Sequence, residues 1–191
     1  MKTSIANIIR PDASSYHTFF FDMATNEPLR GETHQGFSDD SSLARGQSWA
    51  VYGLALCYHY THEEAILPLF ERVTKYFIDH LPEDYVPYWD LIFSDGSCEP
   101  RDTSAAAIAA CGILEMEKYY HNQEFLDIAK KMMSSLSEKY TTVDYLQSNG
   151  IIKDGMYSRK HGHKSECTSW GDYFYLEALM RMKKSDWKIY W

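Results

Sequence analysis

The sequence has no basic run. Its 19 Lys and Arg face 27 Asp and Glu, for a formal charge of −8 over 191 residues. This argues against a nucleic-acid partner, whose phosphates need a basic face, although an acidic chain can still hold one anionic ligand locally. A long apolar run is also missing. The longest low-polarity stretch, Ala105 to Leu114, is far shorter than the roughly 20 residues needed to span a bilayer, so no membrane partner is expected. Cysteine is scarce, and Cys57, Cys98, Cys111 and Cys167 show no paired metal spacing. Cys57 and Cys111 sit inside apolar helical runs, as small hydrophobes do. Met1 to Asn7 lacks the apolar stretch of a signal peptide, so reduced thiols and a cytoplasmic location are the expectation.

The sequence does carry one phrase in three variants. They are Arg45-Gly46-Gln47-Ser48-Trp49-Ala50, Arg101-Asp102-Thr103-Ser104-Ala105-Ala106 and Ser169-Trp170-Gly171-Asp172-Tyr173-Phe174. Each stands where a polar loop becomes a helix, at intervals of roughly 55 to 70 residues, a step that fits one helix pair plus loops. Hairpins stacked side by side bring equivalent ends together, so the polar starts of alternate helices should gather at one end of the assembly. With 45% hydrophobic residues the chain can build one substantial core, and a single domain is expected over 1–191.

Period and punctuation place the elements. Ser15 to Gln35 reads as a β-hairpin that turns at Thr25-Asn26-Glu27-Pro28. Leu43 to Tyr60 carries Trp49, Tyr52, Leu56 and Tyr60 at helical spacing behind the cap-rich Ser38-Asp39-Asp40-Ser41-Ser42. Glu63 to His80 is a second amphipathic helix, with acidic residues in its first turn, that ends before Pro82. Thr103 to Tyr119 opens with Ala105-Ala106-Ala107-Ile108-Ala109-Ala110-Cys111-Gly112, small on every side, as suits an inner helix with close neighbours. Gln123 to Tyr140 is more polar and therefore outer, and Trp170 to Lys184 is the fifth helix.

Five helices leave the last one without a partner. Tyr173, Phe174, Leu176, Leu179 and Met180 need a surface to cover, and leaving such side chains exposed forgoes about 1.5–3 kcal/mol each. A helix pair is missing from the assembly. The opening, a few polar residues leading straight into an aromatic hairpin, gives the same impression of an absent first half.

Five segments together resemble glycoside hydrolase family 88, the unsaturated glucuronyl hydrolases. They are Ser15-Tyr16-His17-Thr18-Phe19-Phe20-Phe21-Asp22, Thr33-His34-Gln35-Gly36-Phe37-Ser38-Asp39-Asp40-Ser41, Ala44-Arg45-Gly46-Gln47-Ser48-Trp49-Ala50, Pro87-Tyr88-Trp89-Asp90 and Trp170-Gly171-Asp172-Tyr173-Phe174. The resemblance runs nearly end to end. It implies an all-α fold, the second half of an (α/α)6 toroid of six helical hairpins, with a short β-hairpin near the N-terminus. It also implies hydration of the C4–C5 double bond of a terminal unsaturated uronic acid on lyase-generated oligosaccharides, with no cofactor and no metal. The usual pair of glycosidase carboxylates is not the template for that reaction. The family's acid/base aspartate and its neighbour belong to the N-terminal half, so no catalytic residue is assigned here. The implied partners are an unsaturated uronyl oligosaccharide and either an N-terminal half or a second copy of the chain.

Four substrate-binding positions carry over by the resemblance: His17, Gln35, Arg45 and Trp49. His17 and Gln35 can aim hydrogen bonds at sugar hydroxyls, or they can be satisfied loop residues. Arg45 and Trp49, one helical turn apart, can meet a uronate carboxylate and stack on its ring, or be a surface ion pair and a core side chain. Leu43 stands where the family commonly has a tryptophan, which removes a flat stacking face. Asp102 and Asp172, at inner-helix starts, read as caps or dipole partners rather than catalytic acids. Neither His161-Gly162-His163 with Glu166 and Cys167, nor His59 with His62, completes a metal set, and the first group reads as a loop able to close over substrate. Other readings of the same residues are a non-catalytic sugar-acid-binding remnant and another sugar-metabolising toroid enzyme, such as an isomerase or epimerase.

Overall fold

The computed structural model describes residues 2–184 and 186–189. In chain order the elements are α1 (Lys2–Ile8), β1 (Thr18–Phe21), β2 (Pro28–Glu32), α2 (Ala44–Thr61), α3 (Ile66–Asp79), α4 (Thr103–Met116), α5 (Gln123–Lys139), a 3-10 turn (Arg159–His161) and α6 (Ser169–Lys183). The two strands pair antiparallel, Thr18 opposite Glu32, with an irregularity at Phe20/Phe21. Asp22 Oδ1 accepts from the backbone N–H groups of Ala24 and Thr25 and so folds the hairpin turn.

Helix α4 is the centre of the molecule. Its run from Thr103 to Ile113 is buried on every side, and it packs on α2, α5 and α6. Gly112 shows how tightly: a Cβ there would come within 2.8 Å of the Tyr52 backbone, so α2 and α4 meet nearly backbone to backbone. Helix α3 covers α2 with Ile66, Phe70, Val73 and Phe77, and α5 covers α4 with Phe125, Ala129, Met132, Met133 and Leu136. The inner helix anticipated from the Ala-rich run is therefore inner, with α3 and α5 outside it.

Side-chain contacts fix the helix directions. At the N-terminal ends Arg45 of α2 meets Asp102 before α4, and Trp170 of α6 donates to Ser104 of α4. At the C-terminal ends His59 of α2 and Arg181 of α6 both meet Glu115 of α4. Helices α2, α4 and α6 thus run side by side in one direction, and the three variant phrases share one end as their spacing suggested.

Three local expectations are corrected. The chain does not enter the hairpin directly, because Lys2–Ile8 forms a short helix whose Ile5 packs against the core. The Ser38–Ser42 run does not cap α2. Its N-cap is Leu43, without a side-chain hydrogen bond, while Ser41 Oγ donates to Asp90 and Asp39 accepts from the Thr33 N–H. Glu63 and Glu64 precede α3 rather than filling its first turn, since the helix begins at Ile66.

Both edges of the row are open. On α6, Leu176 (47% exposed), Leu179 and Met182 face outward. On α2, Gly46, Trp49, Ala50, Gly53 and Cys57 line one wall of an apolar groove of about 640 Å³, with Ile5, Ile8 and Ile9 opposite. A Cβ at Gly53 would meet nothing within 4 Å.

Candidate functional site

The site forms where the N-terminal ends of α2, α4 and α6 converge. Arg45 lies in the first turn of α2, where the helix dipole disfavours a cation, so a buried arginine there needs a counter-charge. Asp102 supplies it from the N-cap of α4, with Nη1 2.8 Å from Oδ2. The Asp102 carboxylate also accepts from the Ser104 N–H and Oγ and is fully buried. Arg45 then donates from Nη1 to the Met156 carbonyl, and from Nη2 to the Tyr157 carbonyl (2.8 Å) and to Gln35 Oε1 (3.2 Å). Its guanidinium also lies 5.5 Å from the centre of the Trp170 ring.

His17 sits beside this hub. Its Nδ1 accepts from the backbone N–H groups of His34 (2.9 Å) and Gln35 (3.1 Å). A nitrogen that accepts two N–H bonds carries no proton, so His17 is neutral with its hydrogen on Nε2. Its pKa is pushed below the ordinary 6.5 by burial first, and then by the nearby His34, Arg45 and Lys160. The His17 ring stacks at 6.4 Å on His34, whose other neighbour is His161 at 4.8 Å. His161 Nδ1 hydrogen-bonds Ser158 Oγ (2.6 Å), and the adjoining Tyr157 ring contacts Trp170 and His163.

The four anticipated residues therefore come together. Gln35 is bonded to Arg45 by its side chain and to His17 by its backbone, and His17 and Trp49 line the same groove. Trp49 is 41% exposed and meets Phe174 edge-on at 5.1 Å, which leaves ring surface in the groove. Arg45 differs from the simplest expectation: both Nη atoms are engaged with protein, and the residue is 7% exposed. Leu43 packs with Trp89 and Met156 at the border of the site. Asp172 accepts from the Ile151 and Ile152 N–H groups at 2.9 Å, so this carboxylate holds a loop. Both tempting aspartates are thus committed to backbone donors.

Sequence reasoning missed the Met156 and Tyr157 carbonyls, more than a hundred positions from Arg45, and the pairing of Asp102 with Arg45. Carbonyls leave no trace in residue identity. Asp102 left one signal, its place at the start of an otherwise apolar buried helix. Among the described residues no cluster of three or more His, Cys, Asp or Glu is arranged to hold a metal. His59 instead bonds the buried Glu115 at the far end. No described helix is long and apolar enough to cross a membrane, and all four cysteines are free thiols.

A row of same-direction inner helices backed by outer ones, with polar side chains gathered at the inner N-termini, defines a segment of an α/α toroid. No family model matches the chain. It is 49% identical over 194 residues to the unsaturated chondroitin disaccharide hydrolase of Streptococcus pneumoniae, covering 98% of this chain and 49% of that protein. It is 40% identical over 183 residues to the unsaturated glucuronyl hydrolase of a Bacillus species, with coverages of 93% and 48%. Its fold matches the crystal structure of unsaturated glucuronyl hydrolase from Streptococcus agalactiae with a TM-score of 0.93 at 46% identity, over 98% of this chain and 49% of that one. A mutant of that enzyme complexed with dGlcA-GalNAc6S matches with a TM-score of 0.86 at 46% identity, over 97% of this chain and 50% of that one. By sequence and by fold the chain is homologous to the unsaturated glucuronyl hydrolases of glycoside hydrolase family 88. It spans about half the length of the relatives it matches.

Proposed function

We propose that these residues are the C-terminal half, 1–191, of the catalytic toroid of an unsaturated glucuronyl hydrolase that works in the cytoplasm. The observation that carries the reading is the joining of His17, Gln35, Arg45 and Trp49 at one end of a fold that superposes on an oligosaccharide-bound hydrolase. Trp49 offers an exposed ring to a sugar face. His17 and Gln35 offer polar contacts around its carboxylate and hydroxyls, and Arg45 supplies positive charge from behind.

Asp102 and Asp172 are both engaged as acceptors, so the proton donor is assigned to the other half. An aspartate of the other half would protonate one carbon of the C4–C5 double bond while water adds at the other. The hydrated product then opens to a keto acid and releases the neighbouring sugar. The completing half would dock along the two open edges, its helices covering Gly53 and Cys57 on α2, beyond Trp49, and Leu176, Leu179 and Met182 on α6.

The test is to combine this chain with a polypeptide corresponding to the other half and to follow the ultraviolet absorbance of an unsaturated uronyl disaccharide. Loss of the absorbance is expected, and this distinguishes hydration from epimerisation, which alone keeps the double bond. A folded complex that binds the disaccharide without consuming it would replace this reading with a sugar-acid-binding one. A folded complex that neither binds nor consumes it would remove both.

A further inference from the structure

Arg45 has four Nη hydrogens, and all four have protein acceptors: Asp102, the Met156 carbonyl, the Tyr157 carbonyl and Gln35 Oε1. Those bonds leave Nε as the guanidinium's remaining N–H group. Arginine only donates, so the Gln35 atom it touches must be the amide oxygen, and the amide nitrogen is forced to the opposite side. That nitrogen donates to no described residue, and Gln35 is only half-buried. His17 is constrained in the same sense, because its Nδ1 is taken by two backbone N–H groups and its hydrogen stands on Nε2.

We propose that Asp102 is a positioning residue which, through Arg45, fixes the Gln35 side-chain amide with its two N–H bonds free for a ligand. With His17 Nε2–H, this face of the pocket then presents hydrogen-bond donors to the sugar acid. Such a face favours a group made only of acceptors, a carboxylate, over a neutral hydroxymethyl at the same ring position. Asp102 touches no ligand. It neutralises Arg45, anchors it with a charge-assisted bond, and is itself oriented by Ser104, whose Oγ also accepts from Trp170 Nε1. One chain of bonds thus runs from α6 through α4 and α2 to the hairpin's return loop. The inference rests on the proposed sugar-acid site for its ligand, but not for its geometry.

The experiment is NMR on the isotope-labelled chain, reading the Gln35 side-chain NH2 pair and the Arg45 side chain without ligand and then with an unsaturated uronyl disaccharide. Wild type is expected to show one ordered Gln35 amide and a slowly exchanging Arg45 guanidinium. Asp102→Asn puts an NH2 where Arg45 or Ser104 needs an acceptor, so the Gln35 pair should become averaged. Disaccharide affinity should fall at least tenfold, with the backbone spectrum otherwise retained. Arg45→Lys keeps the charge beside Asp102 but cannot also reach Gln35 and both carbonyls, so it should disorder Gln35 in the same way even if Asp102→Asn does not fold. An ordered, wild-type Gln35 amide in either folded variant overturns the positioning role. A wild-type chain that shows the expected Gln35 and Arg45 signals but binds no disaccharide even when combined with the other half overturns the ligand assignment and leaves the positioning geometry supported.

Discussion

The two ends of the inner-helix row each bury an arginine paired with carboxylate, with opposite results. At the C-terminal end Arg181 lies between Glu115 and Glu177, Lys118 adds a second cation to Glu115 at 2.8 Å, and Tyr52 donates to Glu177 at 3.0 Å. Trp187 covers the guanidinium at 4.5 Å. Charge meets charge there, and Glu177 Oε2 is buried without a hydrogen bond among the described residues. At the N-terminal end Arg45 has one carboxylate, and its other acceptors are neutral, among them an amide whose own donors remain unspent. A buried cluster built of ions alone holds helices together. One completed by a polarisable amide relays its orientation to the surface of a groove.

The largest expected effect is at the C-terminal end. Arg181→Met leaves two buried carboxylates facing each other and should cost about 3–5 kcal/mol, read as a lower midpoint in urea with an unchanged slope. A near-neutral result would mean that the Glu115–Arg181–Glu177 cluster is not structural. Arg45→Met should cost less, about 1.5–3 kcal/mol, because Asp102 keeps its bonds from Ser104. It should also abolish sugar-acid binding, which Arg181→Met at tolerated temperature should not. Equal stability losses with binding intact in both would erase the contrast between the ends.

Glycine substitutions sharpen the same contrast sideways, between the closed and open faces of α2. Gly112→Ala forces α4 away from the Tyr52 backbone and should destabilise by about 1–3 kcal/mol. Gly53→Ala meets open space and should stabilise α2 by up to about 1 kcal/mol through helix propensity, measured by thermal unfolding. A loss at Gly53 would indicate that a helix already occupies the groove in solution.

The smallest effect is the response of the two ends to acid. His17 has a folded pKa below 6.5, so its contribution is complete above 6.5 and is lost as pH falls through the lowered value. For Glu115, burial acts to raise the pKa, but hydrogen bonds and charge from Lys118 and Arg181 outweigh it and bring it below 4.5. Its contribution is complete above 4.5 and is lost as pH falls through that lower value. Backbone amide signals of His34 and Gln35 should therefore hold as pH falls to 6.5 and respond to His17 only below it. Protonation of His17 already complete above 6.5 would contradict its neutral, accepting Nδ1.

Much of this arrangement was legible in residues. The Ala105–Gly112 run has no polar face to offer solvent, which made α4 an inner helix before any coordinates. The hairpin followed from its turn residues, and the recurring Arg-Gly, Arg-Asp and Trp-Gly-Asp starts marked the end that the inner helices share. The short α1 escaped because seven residues without a cap or an apolar period carry little helical signal. The Ser38–Ser42 run misled because Ser and Asp favour caps and tight turns alike, and here tertiary partners at Asp90 and Thr33 took them.

The linear pattern by itself determined the places of the five longer helices, the inner placement of α4 and the types of side chain brought to the site, because period and side-chain volume are properties of neighbouring residues. Only the tertiary structure decided that Arg45 spends its donors inside the protein, that Gln35 turns its N–H bonds outward and that His17 keeps its hydrogen on Nε2. Each of those outcomes depends on acceptors and donors brought from 10 to 112 positions away, and such bonds exist only once the partners meet in space.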